Sequence, residues 1–416
     1  MIDFVRALQS LLIVSCLAAC VQHQATRQSV LPMETSAQSD VSTLCAEIRE
    51  RYAYFEDRAG HWDAACARAS EDISAAASPA ARLAVLERLL DDLYDPHVNL
   101  SANSQSSPRL VPSGSDLWFN LIDGDFVVAA VRKGSGAAQA DVKIGDRLLR
   151  FNGHEPHALW KRRVHTVTGE VPEHRKLWAL NAAIAGRYDA PRRIELMRDG
   201  TTRALDLGDP IPTPTPAPVS SEIIGPGIGY IRFNNSLGNE STIESFDQAL
   251  DALRDTRALI LDLRDTPSGG NTGVAEPILG RLISEEVGYQ TAVYGDGSAI
   301  TSTVQPRGPW TYDQPIVVLC GRWTGSMGEG IVIGLDGIRR AKVMGSAMAG
   351  LAGGTQPIDL PESGLQVWVP TYDLRHLGGT PRHRWKPQEN PIDADFGNGR
   401  DILLEEVVRF FDIPED

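Results

Sequence analysis

Three kinds of hydrophobic spacing follow one another along the chain. From Val41 to about Leu93 apolar residues recur every three or four positions, as in Leu83, Val85, Leu86, Leu89, Leu90 and Leu93, which is the period of amphipathic helices. Ser78-Pro79 supplies a start for the last of them, with Pro just inside the first turn. From about Asp116 to Asp206 the pattern shortens. Val127 to Val131 predicts a strand, Asn152-Gly153 predicts a tight turn because both residues tolerate positive φ, and Ala158 to Arg187 predicts a helical insertion. Prolines then alternate from Ile211 to Pro218, a semi-rigid linker. Beyond it, strand-like runs (Ile228 to Phe233, Ala258 to Leu263, Ile316 to Leu319, Val343 to Gly345) alternate with helix-like ones (Ser245 to Leu253, Val274 to Ile283, Gly328 to Leu335). That alternation predicts an α/β fold with a largely buried sheet, closed by an amphipathic helix from Ile402 to Phe411.

The start of the chain reads differently. Leu11 to Leu17 is an apolar run too short to span a bilayer and suited to a signal peptide. It ends in Leu17-Ala18-Ala19-Cys20, which resembles the bacterial lipobox, and implies lipidation at Cys20. Val21 stands where an inner-membrane retention signal would place Asp, so the expectation is a lipoprotein on the periplasmic face of the outer membrane, with an ordinary signal peptide and a secreted or periplasmic protein as the alternative. Cys45 and Cys66 lie in adjacent predicted helices and are placed to pair in an oxidising compartment. Cys320 ends a Val-rich strand and reads as a buried thiol.

Composition narrows the function. With 416 residues, 42% of them hydrophobic and 23% charged, the chain is globular and long enough for several domains. A formal charge of −14 argues against nucleic-acid binding, which needs Lys and Arg to displace counterions. No Cys/His spacing suggests a metal, and no cofactor is expected.

Three clusters could carry chemistry. Thr324-Gly325-Ser326-Met327-Gly328-Glu329 follows a strand and opens a helix, so the Ser326 hydroxyl sits near a positive helix end that favours a developing anion. Taken by itself, Ser326 reads more readily as a helix N-cap than as a nucleophile. Upstream, Asp262-Leu263-Arg264 is followed by Gly269-Gly270 between a strand and a helix, where bare backbone N–H groups can approach a ligand oxygen. Asp95-Pro96-His97 follows the helical region.

Taken together and in this order, with Gly145-Asp146 and its Asn-Gly turn between them, these motifs resemble the carboxyl-terminal processing peptidases and the tricorn-core serine peptidases. The resemblance runs from about Val41 to the end. It implies a Ser326 nucleophile and an oxyanion hole from N–H groups of Gly269 or Gly270 and of Met327. The processing branch uses a lysine base about 25 residues after the nucleophile, where this chain has Leu351, so the resemblance points instead to the tricorn-like branch with His97 as base. That branch adds a late Glu. The matching region, Gly378 to Trp385, is basic around His383, leaving Glu389 or Asp95 to orient the base, with Glu329 of the nucleophile motif as a further supporting group.

The expected organisation is therefore multi-domain α/β: a signal peptide (1–19), a lipid-anchored tether (20–40), a helical domain (41–110), a PDZ-like β domain with a helical insertion (111–208), a Pro-rich linker (209–221) and an α/β core of the crotonase-like β-β-α type (222–416). The expected activity is hydrolysis of peptide bonds in polypeptides, the PDZ-like unit taking peptide ends. The alternatives are a serine esterase or amidase, and a non-catalytic lipoprotein that binds peptide or ligand.

Overall fold

Alternate residues of the central strands face two different cores, and this is what builds the sheet that carries the site. In the computed structural model, Leu259 and Leu261 of strand Ala258–Asp262, with Ile316 and Val318 of strand Ile316–Cys320, pack under helices Ser241–Ala252, Thr272–Leu279 and Met327–Gly337. The intervening Ala258, Ile260, Val317 and Leu319 face the other way, against Leu403 and Val407 of helix Ile402–Asp412. Both strands are buried on both faces, as a sheet covered by helices on each side requires. The strand order is Lys342–Gly345, Ile316–Cys320, Ala258–Asp262, Ile228–Phe233, Val219–Ile224; the first four run parallel and the last is antiparallel. Residues 38–164, 171–213, 217–388 and 400–412 are described. The signal peptide, Cys20, nearly all of the tether and Glu389 lie outside the described residues. Among the described residues no helix is long and apolar enough to cross a membrane.

The N-terminal helices do not bury their apolar faces on one another alone. Helices Gln38–Arg51, Trp62–Ala75 and Pro79–Asp91 share one core with Ile358, Leu360, Val367 and Val369 from the far end of the chain. Strand Asn99–Leu100 pairs with strand Gln366–Arg375, and Asp40 accepts hydrogen bonds from the N–H groups of Glu362 and Ser363 at 2.7 and 3.0 Å. His97 thereby enters the same body as the C-terminal segment. Ser78 Oγ caps its helix by accepting from Ala81 N–H at 3.2 Å, with Pro79 in the first turn.

Cys45 and Cys66 form a disulfide with Cα atoms 6.1 Å apart, joining helices Gln38–Arg51 and Trp62–Ala75 across a separation of 21 residues. Loop closure of that length is worth about 3 kcal/mol. Cys45→Ser/Cys66→Ser is expected to lower the urea midpoint accordingly, and an unchanged midpoint would show that the bridge adds nothing to the fold.

The middle unit is an antiparallel sheet, ordered Leu117–Ile122, Asp125–Val131, Arg147–Phe151, Arg192–Arg198, Thr201–Leu207. Helices Pro156–Lys161 and Glu173–Ala185 fill the predicted helical insertion and pack into its core. Asn152 and Gly153 take φ of 48° and 79° at the turn. Asp146 is buried and holds Lys143 N–H at 2.9 Å and the Arg198 guanidinium at 2.6 and 2.7 Å.

Candidate functional site

Ser326 is held at the strand-to-helix junction by contacts that tolerate little bulk. Thr324 is buried; its hydroxyl donates to Leu263 O and accepts from Gly321 N–H, each at 2.9 Å, tying the turn to the neighbouring strand end. Gly325 packs against Pro267 and Gly328 against the Thr266 hydroxyl, where any side chain would collide. Ser326 itself has φ 50° and ψ −111°, a conformation L-residues rarely adopt, whose cost of roughly 1–3 kcal/mol must be met by its surroundings.

Glu329 is the principal restraint. It is fully buried and accepts three backbone N–H groups: Ser326 at 2.8 Å, Gly350 at 2.9 Å and Leu351 at 3.1 Å. One carboxylate thus pins the Ser326 turn to the 350–351 segment. Burial pushes its pKa up to about 7, against the pull of Arg382 and of the three donors.

Ser326 Oγ lies 3.1 Å from His97 Nε2, although the two residues are 229 positions apart. His97 Nδ1 lies 2.6 Å from Ala352 O. A carbonyl can only accept, so Nδ1 carries the proton and the Nε2 lone pair is left toward Ser326. The His97 loop is braced by Asp95, which accepts from His97 backbone N–H at 3.0 Å and from Tyr52 OH at 2.7 Å, and pairs with Arg58 at 3.0 Å. Among the described residues no carboxylate reaches the His97 ring. Burial, and then the charge of Arg382, pull its pKa down to about 4.

Arg382 accounts for the basic stretch where an acid is expected. Its side chain is buried and donates to Leu351 O at 3.2 Å and Gly353 O at 2.8 Å, on either side of the carbonyl that orients His97. His383 stands apart from the pair, edge-on to Tyr54 with ring centroids 5.3 Å apart and 3.9 Å from Asp373. Burial lowers its pKa to about 4 as well. Leu351 is buried, and Lys342 points elsewhere, its Nζ 4.3 Å from the centre of the Phe410 ring. Cys320 is a buried free thiol.

The glycine pair divides its tasks. Gly269 has φ 63° and lies against Ser326; a Cβ there would overlap Ser326 Cβ and fall 3.0 Å from Oγ. Its N–H is already donated to Thr266 O at 3.0 Å. The N–H groups of Gly270 and Met327 have no hydrogen-bond partner among the described residues. Ala352 O and Arg382 had no signature in the sequence: one is a backbone carbonyl, and the other sits where the motif leads one to look for an acid.

Comparison with known proteins points the same way. Residues 227–396 match the model of Peptidase family S41. The carboxy-terminal processing protease CtpA of Bacillus subtilis (strain 168) is 27% identical over 212 residues, covering 50% of this chain and 40% of that protein, so the chain matches less than half of that relative's length. Among solved structures, the photosystem II D1 C-terminal processing protease aligns over 86% of this chain and 94% of its own, with a TM-score of 0.56 at 17% identity. Mature CPAF aligns over 91% and 95%, with a TM-score of 0.57 at 16% identity. At these identities the structural likeness speaks for the fold.

Proposed function

With the similarity of residues 227–396 to Peptidase family S41 as premise, we propose that the chain is an exported serine peptidase acting on polypeptides, with Ser326 as nucleophile and His97 as general base. The observation that carries the reading is the 3.1 Å approach of Ser326 Oγ to His97 Nε2. As Oγ attacks the scissile carbonyl carbon, its proton passes to Nε2 and the carbonyl oxygen becomes an oxyanion. The unpartnered N–H groups of Gly270 and Met327 are the donors for that oxyanion, and Gly269, whose N–H is committed to Thr266, serves by letting the chain lie against Ser326. His97 then gives the proton to the leaving amine, and water repeats the sequence on the acyl-enzyme. Ala352 O maintains the tautomer throughout. The middle unit is read as PDZ-like and the C-terminal sheet as the crotonase-like core. The Cys45–Cys66 bridge supports an oxidising compartment, and anchoring through Cys20 to the outer membrane completes the proposal.

That no carboxylate among the described residues reaches the His97 ring favours a second reading, a binding protein on a peptidase fold. A fluorophosphonate probe separates the two. The wild type is expected to be labelled on the peptide containing Ser326, and Ser326→Ala to remain unlabelled. Folded wild type that stays unlabelled while a control serine peptidase reacts would leave only the binding reading.

The depressed His97 pKa sets a pH profile. A base with pKa about 4 remains neutral well below the usual histidine range, so the limb of kcat/KM set by His97 is expected to have its midpoint near 4, apart from a limb near 7 set by protonation of the Glu329 clamp. The linkage has the same sign: the unfolded chain takes up this proton near 6.5 and the fold only near 4, so the fold's advantage is complete above 6.5 and is lost as pH falls toward 4. A midpoint that stays at 6.5 or above in Glu329→Gln, where the Glu329 limb is removed, would contradict the assigned base.

A further inference from the structure

The backbone from Gly350 to Gly353 is used on both of its edges. The N–H groups of Gly350 and Leu351 donate to the Glu329 carboxylate at 2.9 and 3.1 Å, and the same carboxylate holds Ser326 N–H at 2.8 Å. The carbonyls serve the other side. Leu351 O and Gly353 O accept from Arg382 Nη2 at 3.2 and 2.8 Å, and Ala352 O between them accepts from His97 Nδ1 at 2.6 Å. This short strap therefore joins the turn of the nucleophile to the ring of the base, with a carboxylate on one edge and a guanidinium on the other.

Arg382 is 2% exposed, and among the described residues its hydrogen bonds go to these carbonyls and not to a carboxylate. A guanidinium buried on such terms is costly, because carbonyl dipoles replace only part of its lost hydration. An apolar side chain would fill the same space without that cost. What the arginine adds is constraint: a carbonyl can orient an imidazole only if it is itself fixed, and Arg382 fixes the peptide units on both sides of Ala352 O. Both bonds leave one nitrogen, so the geometry asks for a cation at that point rather than for a planar fork. The surrounding charges act in the same direction. Burial lowers the His97 pKa, then Arg382, with Arg58 adding to the effect and Asp95 opposing it. Burial raises the pKa of Glu329, and Arg382 opposes that rise; the Cys320 thiol beside this carboxylate is itself pushed up by burial and stays protonated. One buried cation thus helps to keep the base neutral and the Glu329 clamp ionised. We infer that Arg382 is a positioning residue of this site, holding the 351–353 strap so that Ala352 C=O fixes the His97 ring, the task that the resemblance assigns to a late carboxylate. The inference rests on reading His97 as the base.

The test is the protonation of the His97 ring, followed by nitrogen–proton correlation NMR of protein labelled in histidine, with His97 assigned by its absence from His97→Gln. At alkaline pH, where the ring is neutral, the wild type is expected to show His97 only as the Nδ1–H tautomer. Arg382→Gln is expected to populate the Nε2–H tautomer as well, and to raise the midpoint of the ring titration by roughly one pH unit as the neighbouring positive charge is lost. Arg382→Lys is expected to restore both, since one ammonium can donate to both carbonyls. Arg382→Met, which keeps a buried stem, carries the expectation of Arg382→Gln should that variant not unfold cooperatively in urea. An Nδ1–H tautomer that remains exclusive in the neutral variant overturns the inference even if the midpoint moves, because Arg382 would then act by charge alone. Failure of lysine to restore the tautomer overturns it too. These spectra need neither substrate nor turnover, so their outcome is separate from that of fluorophosphonate labelling. An unlabelled wild type whose ring responds to Arg382 sinks the peptidase reading, whereas a labelled wild type whose ring ignores Arg382 sinks only this one.

Discussion

His97→Ala is expected to lower kcat/KM by about four orders of magnitude, the upper part of the range for loss of a positioned general base. Three features concentrate the effect on that ring. Nε2 is 3.1 Å from Ser326 Oγ, Nδ1 is held by Ala352 O, and among the described residues no second imidazole shares the contact, because His383 faces Tyr54 and Asp373 instead. The backbone bond from His97 N–H to Asp95 survives the substitution, so the loop keeps its brace. The sharper test is the double variant. If Ser326 and His97 act as one unit, Ser326→Ala/His97→Ala is no slower than either single variant. Multiplicative losses would instead mean that the two residues act separately, and full activity of His97→Ala would remove it from the mechanism.

The reach of sequence reasoning follows from which interactions have a side-chain signature. The buried strands at Ala258 and Ile316 were legible because unbroken β-branched and Leu runs leave few other solutions, and Ser326 was legible as the residue where such a strand turns into a helix. Strands Val287–Val293, Ala299–Val304, Gly354–Asp359 and Gln366–Arg375 were not read, since Thr, Ser, Gln and Gly dilute their alternation and each is only partly buried. With them went the closure that brings His97 home: strand Asn99–Leu100 pairs with Gln366–Arg375, and no local pattern announces a contact across more than 260 residues. The sequence offers Asp95 and Glu389 as orienters of His97. Asp95 holds the backbone rather than the ring, while the ring is held by the carbonyl of Ala352, a group every residue possesses. In the sequence Glu329 is one member of a motif; only the fold reveals that it clamps Ser326 to residues 350 and 351.

Gly269→Ala tests how closely that geometry is held. The added Cβ would overlap Ser326 Cβ, and φ of 63° is itself unfavourable for alanine by about 1 kcal/mol. Neither neighbour yields easily: Ser326 is pinned through its N–H by Glu329, and Gly269 through its own N–H by Thr266 O. Relief must come from a shift of the Ser326 turn relative to His97, and a displacement near 1 Å is enough to cost about a hundredfold in rate. The expectation is a fall in kcat/KM of at least that size, with cooperative unfolding retained. Gly270→Ala is the discriminating companion, because its Cβ would strike Leu237 O rather than Ser326. It should lower stability first and the rate of fluorophosphonate labelling of the remaining folded protein less. Were Gly269→Ala to label at the wild-type rate, the glycine would be only a turn residue, and the close packing of residue 269 on Ser326 would have no part in holding the hydroxyl against His97.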